Sequence, residues 1–126
     1  MTDHTQRLVR VLLVDDDRRV AQVVSRMLAA AAFDVAWHES GESALEAFAA
    51  DPDGFSVAVV DLQLPNLTGV GVARGLWEVR PGLPVLLVSG DLTDVERHRL
   101  PGPYRTLGKP IAMQALIQAV GESVRS

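Results

Sequence analysis

The chain has 126 residues, enough for one domain with its own core and too few for two. Hydrophobic residues make up 48% and aromatics only 5%, so a core has to be built chiefly from Val, Leu and Ala. A formal net charge of −4 gives no general attraction to nucleic acid or anionic membrane, and the lack of cysteine excludes disulfides and thiolate chemistry.

The apolar runs are too short to span a bilayer, and Met1 to Arg7 lacks the apolar stretch of a signal peptide. A cytoplasmic single domain over residues 1–126, with its core at about 8–124 and no output domain in the chain, is the expectation. Val9–Val14 reads as a strand buried on both faces. Arg18–Ala32 has helical periodicity, with Val20, Val23, Val24, Met27 and Leu28 on one side. Phe33–His38 alternates as a strand that points Phe33, Val35 and Trp37 one way. A helix from Ser40 or Gly41 runs to Ala50 and stops at Asp51-Pro52-Asp53-Gly54.

Ser56–Val60 is a second buried strand, followed by a loop at Leu64-Pro65-Asn66 and a helix from Gly69 to Val79. Arg80-Pro81-Gly82 ends that helix. Pro84–Val88 is a buried strand and Leu92–Arg99 a short, polar helix. Pro101-Gly102-Pro103 forbids helix, Tyr104–Gly108 can form a fifth strand, and Ile111–Val124 is an amphipathic helix. Its apolar stripe is Met113, Leu116, Ile117, Val120 and Val124. Five β-α units with continuous apolar strands imply a parallel sheet covered on both faces. Right-handed crossovers leave few topologies at this size. The flavodoxin-like α/β sandwich, strand order 2-1-3-4-5, fits best and puts ligands at the carboxyl ends of the strands.

The residues at those ends carry the chemistry. Asp15, Asp16 and Asp17 follow the first strand, Asp61 the third, Ser89 the fourth and Lys109 the fifth. Three or four carboxylates in one cleft repel unless a cation joins them. Hard oxygens with open positions suit Mg²⁺, which commonly takes one or two carboxylates together with a phosphate. Of the 12 basic residues only Lys109 is a lysine, so that position asks for a compact ammonium. A carboxylate, a metal, an ammonium and a hydroxyl are the parts that stabilise a phosphoryl group in transfer. Each residue also has a plainer reading: one of the three aspartates as a helix cap, Ser89 as a turn residue, Lys109 as surface. Their joint placement at four strand ends outweighs those readings.

Four motifs carry a resemblance: Leu12-Leu13-Val14-Asp15-Asp16; Val60-Asp61-Leu62-Gln63-Leu64-Pro65 with Gly69; Val85-Leu86-Leu87-Val88-Ser89-Gly90; and Lys109-Pro110. In this order and spacing the chain resembles the receiver domain of bacterial two-component response regulators over essentially its whole length. The resemblance implies that Asp61 is the phosphoacceptor. Asp16 would be a direct ligand of Mg²⁺ or Mn²⁺, alongside Asp61, and Asp15 would act through water or by orientation. The backbone carbonyl of Gln63 would complete the protein's share of the metal shell. Ser89 would move toward a phosphoryl oxygen and Lys109 would pair with it. The implied phosphodonor is a phosphohistidine on a histidine kinase or histidine phosphotransfer protein. The downstream partner is an unspecified protein, with no nucleic acid or membrane contact and with weak self-pairing among the allowed states. Such a domain assists its own phosphorylation and dephosphorylation and is not a conventional enzyme. Gln63 and Asp91 flank the site at positions that tune loss of the phosphoryl group.

Some positions depart from the pattern. Receivers usually carry Tyr or Phe three residues before the lysine; here that residue is Thr106, and Tyr104 sits one step too far along the strand. Gly90 and the short fourth helix are similar to receivers fused to hybrid histidine kinases. A receiver fold that binds partners without phosphorylation is the rival function, favoured by Thr106 and opposed by the acid cluster, Ser89 and Lys109. An aspartate-nucleophile phosphatase would need a second acid where Gln63 stands. His4, His38 and His98 lack metal-ligand spacing. Trp37 and Trp77 are expected to cover the sheet, partly exposed, and Arg97, Arg99 and Arg105 form a modest basic patch.

Overall fold

A computed structural model of the chain describes residues 9–96 and 98–125. His4, Arg97 and the polar N-terminal segment lie outside them. The elements alternate: β1 (Arg10–Val14), α1 (Arg18–Ala30), β2 (Asp34–His38), α2 (Gly41–Ala50), β3 (Val57–Asp61), α3 (Gly69–Val79), β4 (Val85–Ser89), α4 (Thr93–Glu96), β5 (Tyr104–Gly108) and α5 (Met113–Arg125). A single 3-10 turn, Pro52–Gly54, separates α2 from β3. The strands are all parallel in the order β2-β1-β3-β4-β5, as the sequence predicts. No helix among the described residues is long and apolar enough to cross a membrane.

Alternate side chains of each strand feed two cores. Leu12, Val14, Ala58, Val60, Val85 and Leu87 face α2 and α3, where Ala44, Phe48, Val72 and Leu76 are buried. Val11, Leu13, Val57, Val59, Leu86 and Val88 face α1 and α5, against Ala21, Val24, Leu28, Leu116 and Val120. Burying each such Leu or Val contributes about 1.5–3 kcal/mol, which is how a chain poor in aromatics holds together.

Local chemistry sets the helix ends. Asp17 caps α1, its Oδ1 accepting from Arg19 N at 2.9 Å and Val20 N at 3.3 Å. Thr68 caps α3 by accepting from Gly71 N. Helix α1 ends at Ala30, two residues short of the predicted limit, because Ala32 takes a left-handed φ of 67°. Ala32 N then bonds Ala29 O and Phe33 N bonds Leu28 O, which closes the last turn and swings the chain into β2.

Three expectations need correcting. Val23 and Met113, assigned to apolar stripes, are 49% and 41% exposed. Their helices bury narrower faces than the stripes suggest. Trp77 is not partly exposed but 3% exposed, with its indole Nε1–H donating to the Leu83 carbonyl at 2.8 Å. Gly102 covers that ring so closely that a Cβ there would collide with it, which is a physical reason for a glycine between two prolines. Trp37 is half-buried, as expected.

Candidate functional site

Register alone assembles the site. Val14 lies opposite His38 and Val60, Asp61 opposite Val88, and Ser89 opposite Gly108, so the carboxyl ends of all five strands share one edge. Asp61 and Ser89 are the last residues of β3 and β4, so each strand runs one residue past the end read from sequence.

Asp15 leaves β1 buried, at 4% exposure. Its N–H donates to the His38 carbonyl at 3.2 Å and its Oδ1 accepts from Asp17 N at 2.8 Å. Its own carbonyl accepts from the Trp37 indole N–H at 2.8 Å. Asp16, next in the chain, is exposed. Asp61 is 5% exposed and both its oxygens are engaged: Oδ1 accepts from Gln63 N at 3.0 Å, and Oδ2 accepts from Lys109 Nζ at 3.1 Å. Lys109 N donates to the Ser89 carbonyl at 2.9 Å, which ties the end of β5 to β4 and delivers the ammonium. The Lys109–Pro110 peptide is cis.

One oxygen from each of Asp15, Asp16 and Asp61 lies within 4.8 Å of the others. Burial raises the Asp15 pKa to about 6; the Asp17 N–H opposes this, the Asp61 charge adds to it, Lys109 opposes it and Asp16 adds to it. Three hard oxygen donors drawn together against their own repulsion fit a divalent cation such as Mg²⁺ or Mn²⁺, with the Lys109 ammonium also on the Asp61 carboxylate.

Ser89 is at the site edge but turned into its own loop. Its hydroxyl donates to the Asp91 carbonyl at 3.0 Å and accepts from Asp91 N at 3.0 Å. Asp91 Oδ1 in turn accepts from Thr93 N at 3.0 Å and Thr93 Oγ1 at 2.6 Å, at the start of α4. Sequence reasoning missed this link, and also the Trp37 contact to Asp15; only strand adjacency could have suggested the latter. Thr106 and Tyr104 are both exposed on β5, opposite Leu87 and Val85, so Tyr104 lies a full repeat farther from the site than Thr106.

The sequence profile described as "Response regulator receiver domain" matches residues 11–121. Among curated proteins, the response regulator MprA of Mycolicibacterium vanbaalenii is 34% identical, over 86% of this chain and 47% of that protein. The transcriptional regulatory protein FixJ of Rhizobium meliloti is 31% identical, over 95% of this chain and 56% of that protein. The chain therefore spans about half the length of these relatives. Among solved structures, a sensor protein from Polaromonas sp. JS666 superposes with a TM-score of 0.82 at 30% identity, covering 93% of this chain and 96% of that one. A profile match running from β1 into α5, on the same five-stranded topology, leaves one assignment: the chain belongs to the receiver domains of two-component response regulators.

Proposed function

We propose that Asp61 accepts a phosphoryl group from a phosphohistidine of a histidine kinase or phosphotransfer protein, in a Mg²⁺- or Mn²⁺-dependent step that switches partner interactions. The observation that carries this is the single cluster in which Asp61 Oδ2 meets Lys109 Nζ at 3.1 Å while Asp15 and Asp16 crowd the same carboxylate. A divalent ion bound there would neutralise the carboxylates and draw charge from the phosphoryl oxygens. The protein's share of the shell would be Asp16 and Asp61 directly, the Gln63 backbone carbonyl, and Asp15 through orientation or water.

An oxygen of Asp61 attacks phosphorus, the donor's N–P bond breaks as the O–P bond forms, and the departing imidazole nitrogen takes up a proton. Lys109, 28% exposed at its side chain, turns its charge from the free carboxylate to a phosphoryl oxygen. The Ser89 hydroxyl exchanges its bond to the Asp91 carbonyl for one to the phosphoryl group. An open apolar cavity of about 300 Å³ between α1 and the segment after β5, lined by Val20, Val23, Met27 and Ile111, runs up to Lys109 and supports docking of a donor protein beside the site.

Incubation with acetyl phosphate and MgCl₂, read by intact mass, tests the proposal. One added phosphoryl group is expected in the wild type, and none in Asp61→Asn or in excess chelator. A wild type that stays unmodified, or an Asp61→Asn variant that is still modified, refutes it. In the first case the phosphorylation-independent binding module, which the exposed Thr106 favours, takes its place.

A further inference from the structure

The geometry points to Trp37 as a positioning residue that aims the Asp15 and Asp16 carboxylates by holding the peptide bond between them. This rests on the divalent-cation reading of the site. Trp37 stands in β2 opposite Leu13, and its ring packs against the core between the sheet and the α1/α5 layer. An indole in that place has an apolar body for the core and one N–H that needs an acceptor. The acceptor is the carbonyl oxygen of Asp15, at 2.8 Å.

That carbonyl belongs to the planar unit whose other end is the nitrogen of Asp16. Fixing its oxygen fixes ψ of Asp15 and φ of Asp16 together. On the other side, Asp15 N is held by the His38 carbonyl, and its Oδ1 is held by Asp17 N. Asp15 is thus restrained at both flanking peptides and at its carboxylate. The carboxylate of Asp16 has no hydrogen bond among the described residues. The direction of its Cα–Cβ bond is set by the main chain, whose peptide before Asp16 is held by Trp37 and whose peptide after it is held by the Asp15 carboxylate through Asp17 N. Phenylalanine would keep most of the packing but release the carbonyl.

Trp77 provides a matched control. Its indole N–H also donates to a backbone carbonyl at 2.8 Å, but that of Leu83, which precedes β4 at the opposite end of the sheet. Mn²⁺ binding to the whole chain is measured from the free-ion electron paramagnetic resonance signal, beside the melting temperature in chelator. Trp37→Phe should weaken Mn²⁺ binding about tenfold, as loss of a support behind a metal ligand does. Trp77→Phe should melt earlier and bind Mn²⁺ as the wild type does. Unchanged Mn²⁺ affinity in Trp37→Phe overturns the assignment. A wild type whose Mn²⁺ binding is absent, or survives Asp16→Asn, refutes the cation reading itself and the inference with it. Should Trp37→Phe not fold, the wild type decides through its nitrogen-15 indole signals. Saturating MgCl₂ should shift that of Trp37 and leave that of Trp77 in place; a stationary Trp37 signal overturns the proposal.

Discussion

Replacing Asp16 by Asn tests whether the acid cluster is a cation site held at a cost to the free protein. Its carboxylate oxygen lies within 4.8 Å of oxygens of Asp15 and Asp61. At that separation and an effective dielectric constant of about 20, one pair of like charges repels by roughly 3.5 kcal/mol. Two features reduce the figure. Lys109, 3.1 Å from Asp61 Oδ2, offsets much of the Asp61 share, and Asp16 is exposed, so solvent screens what remains. The net relief is then about 1 kcal/mol, or a rise of roughly 3–5 °C in melting temperature for a domain of this size. A cation at ten times its dissociation constant stabilises by a similar amount, about 1.4 kcal/mol. In chelator, Asp16→Asn should therefore melt above the wild type. In MgCl₂ the wild type should rise and the variant should stay where it was. Circular dichroism melts at about pH 7.5 read both effects. An Asp16→Asn protein that melts no higher in chelator yet keeps the full Mg²⁺ response would show that Asp16 neither suffers the repulsion nor binds the ion.

Lys109→Arg should slow modification by acetyl phosphate at least tenfold, because a planar fork does not replace the point charge now 3.1 Å from Asp61 Oδ2; a wild-type rate removes the argument for an ammonium. The pKa of Asp15 lies near 6 in the fold against 3.8 unfolded, so its contribution to stability is full below 3.8 and is lost as pH rises through about 6. In chelator, the advantage of Asp15→Asn over the wild type should grow between pH 4 and 7, and parallel melting-temperature curves would contradict the assigned shift. Gly69→Ala should destabilise by about 2 kcal/mol, since the new Cβ would press on the Asp61 carbonyl and sit 2.6 Å from Leu62 Cα, with no flexible side chain to yield; a urea midpoint equal to wild type counts against that packing. Ala32→Gly should stabilise by about 0.5–1 kcal/mol, because its φ of 67° is strained for any residue with a Cβ. A lower urea midpoint would mean that the left-handed turn ending α1 is absent.

The strands and their order were legible because buried parallel strands are written as unbroken apolar runs, and Leu12–Val14, Val57–Val60 and Val85–Val88 are such runs. The acid cluster was legible for a related reason: once the order is known, strand ends must converge. What the sequence hid depends on contacts between distant segments. Nothing around Trp77 announces that Pro101-Gly102-Pro103 will close over it. Val23 fits an apolar stripe by spacing, yet the α1 surface it occupies lines an open cavity and not the core. Trp37 looked like a sheet-covering side chain, and its body is one; its N–H has a second task set by which loop lies next to β2.

The Ser89 hydroxyl has one proton to give, and in this structure it goes to the Asp91 carbonyl. Under the proposed transfer, a phosphoryl oxygen on Asp61 competes for that proton, so occupancy of the site and the bond donated to the Asp91 carbonyl exclude each other. Asp91 also holds Thr93 through the nitrogen and the hydroxyl. The helix that begins there is Thr93–Glu96, far below the length at which a helix supports itself in water. Its order depends on that cap and on the buried Val95. Where receivers usually carry an aromatic ring on β5, this chain has the exposed Thr106, with no bulk to move. Under the proposed transfer, the connection from Asp61 to the surface would run through Ser89, Asp91 and Thr93, three residues joined by hydrogen bonds of 3.0 Å or less.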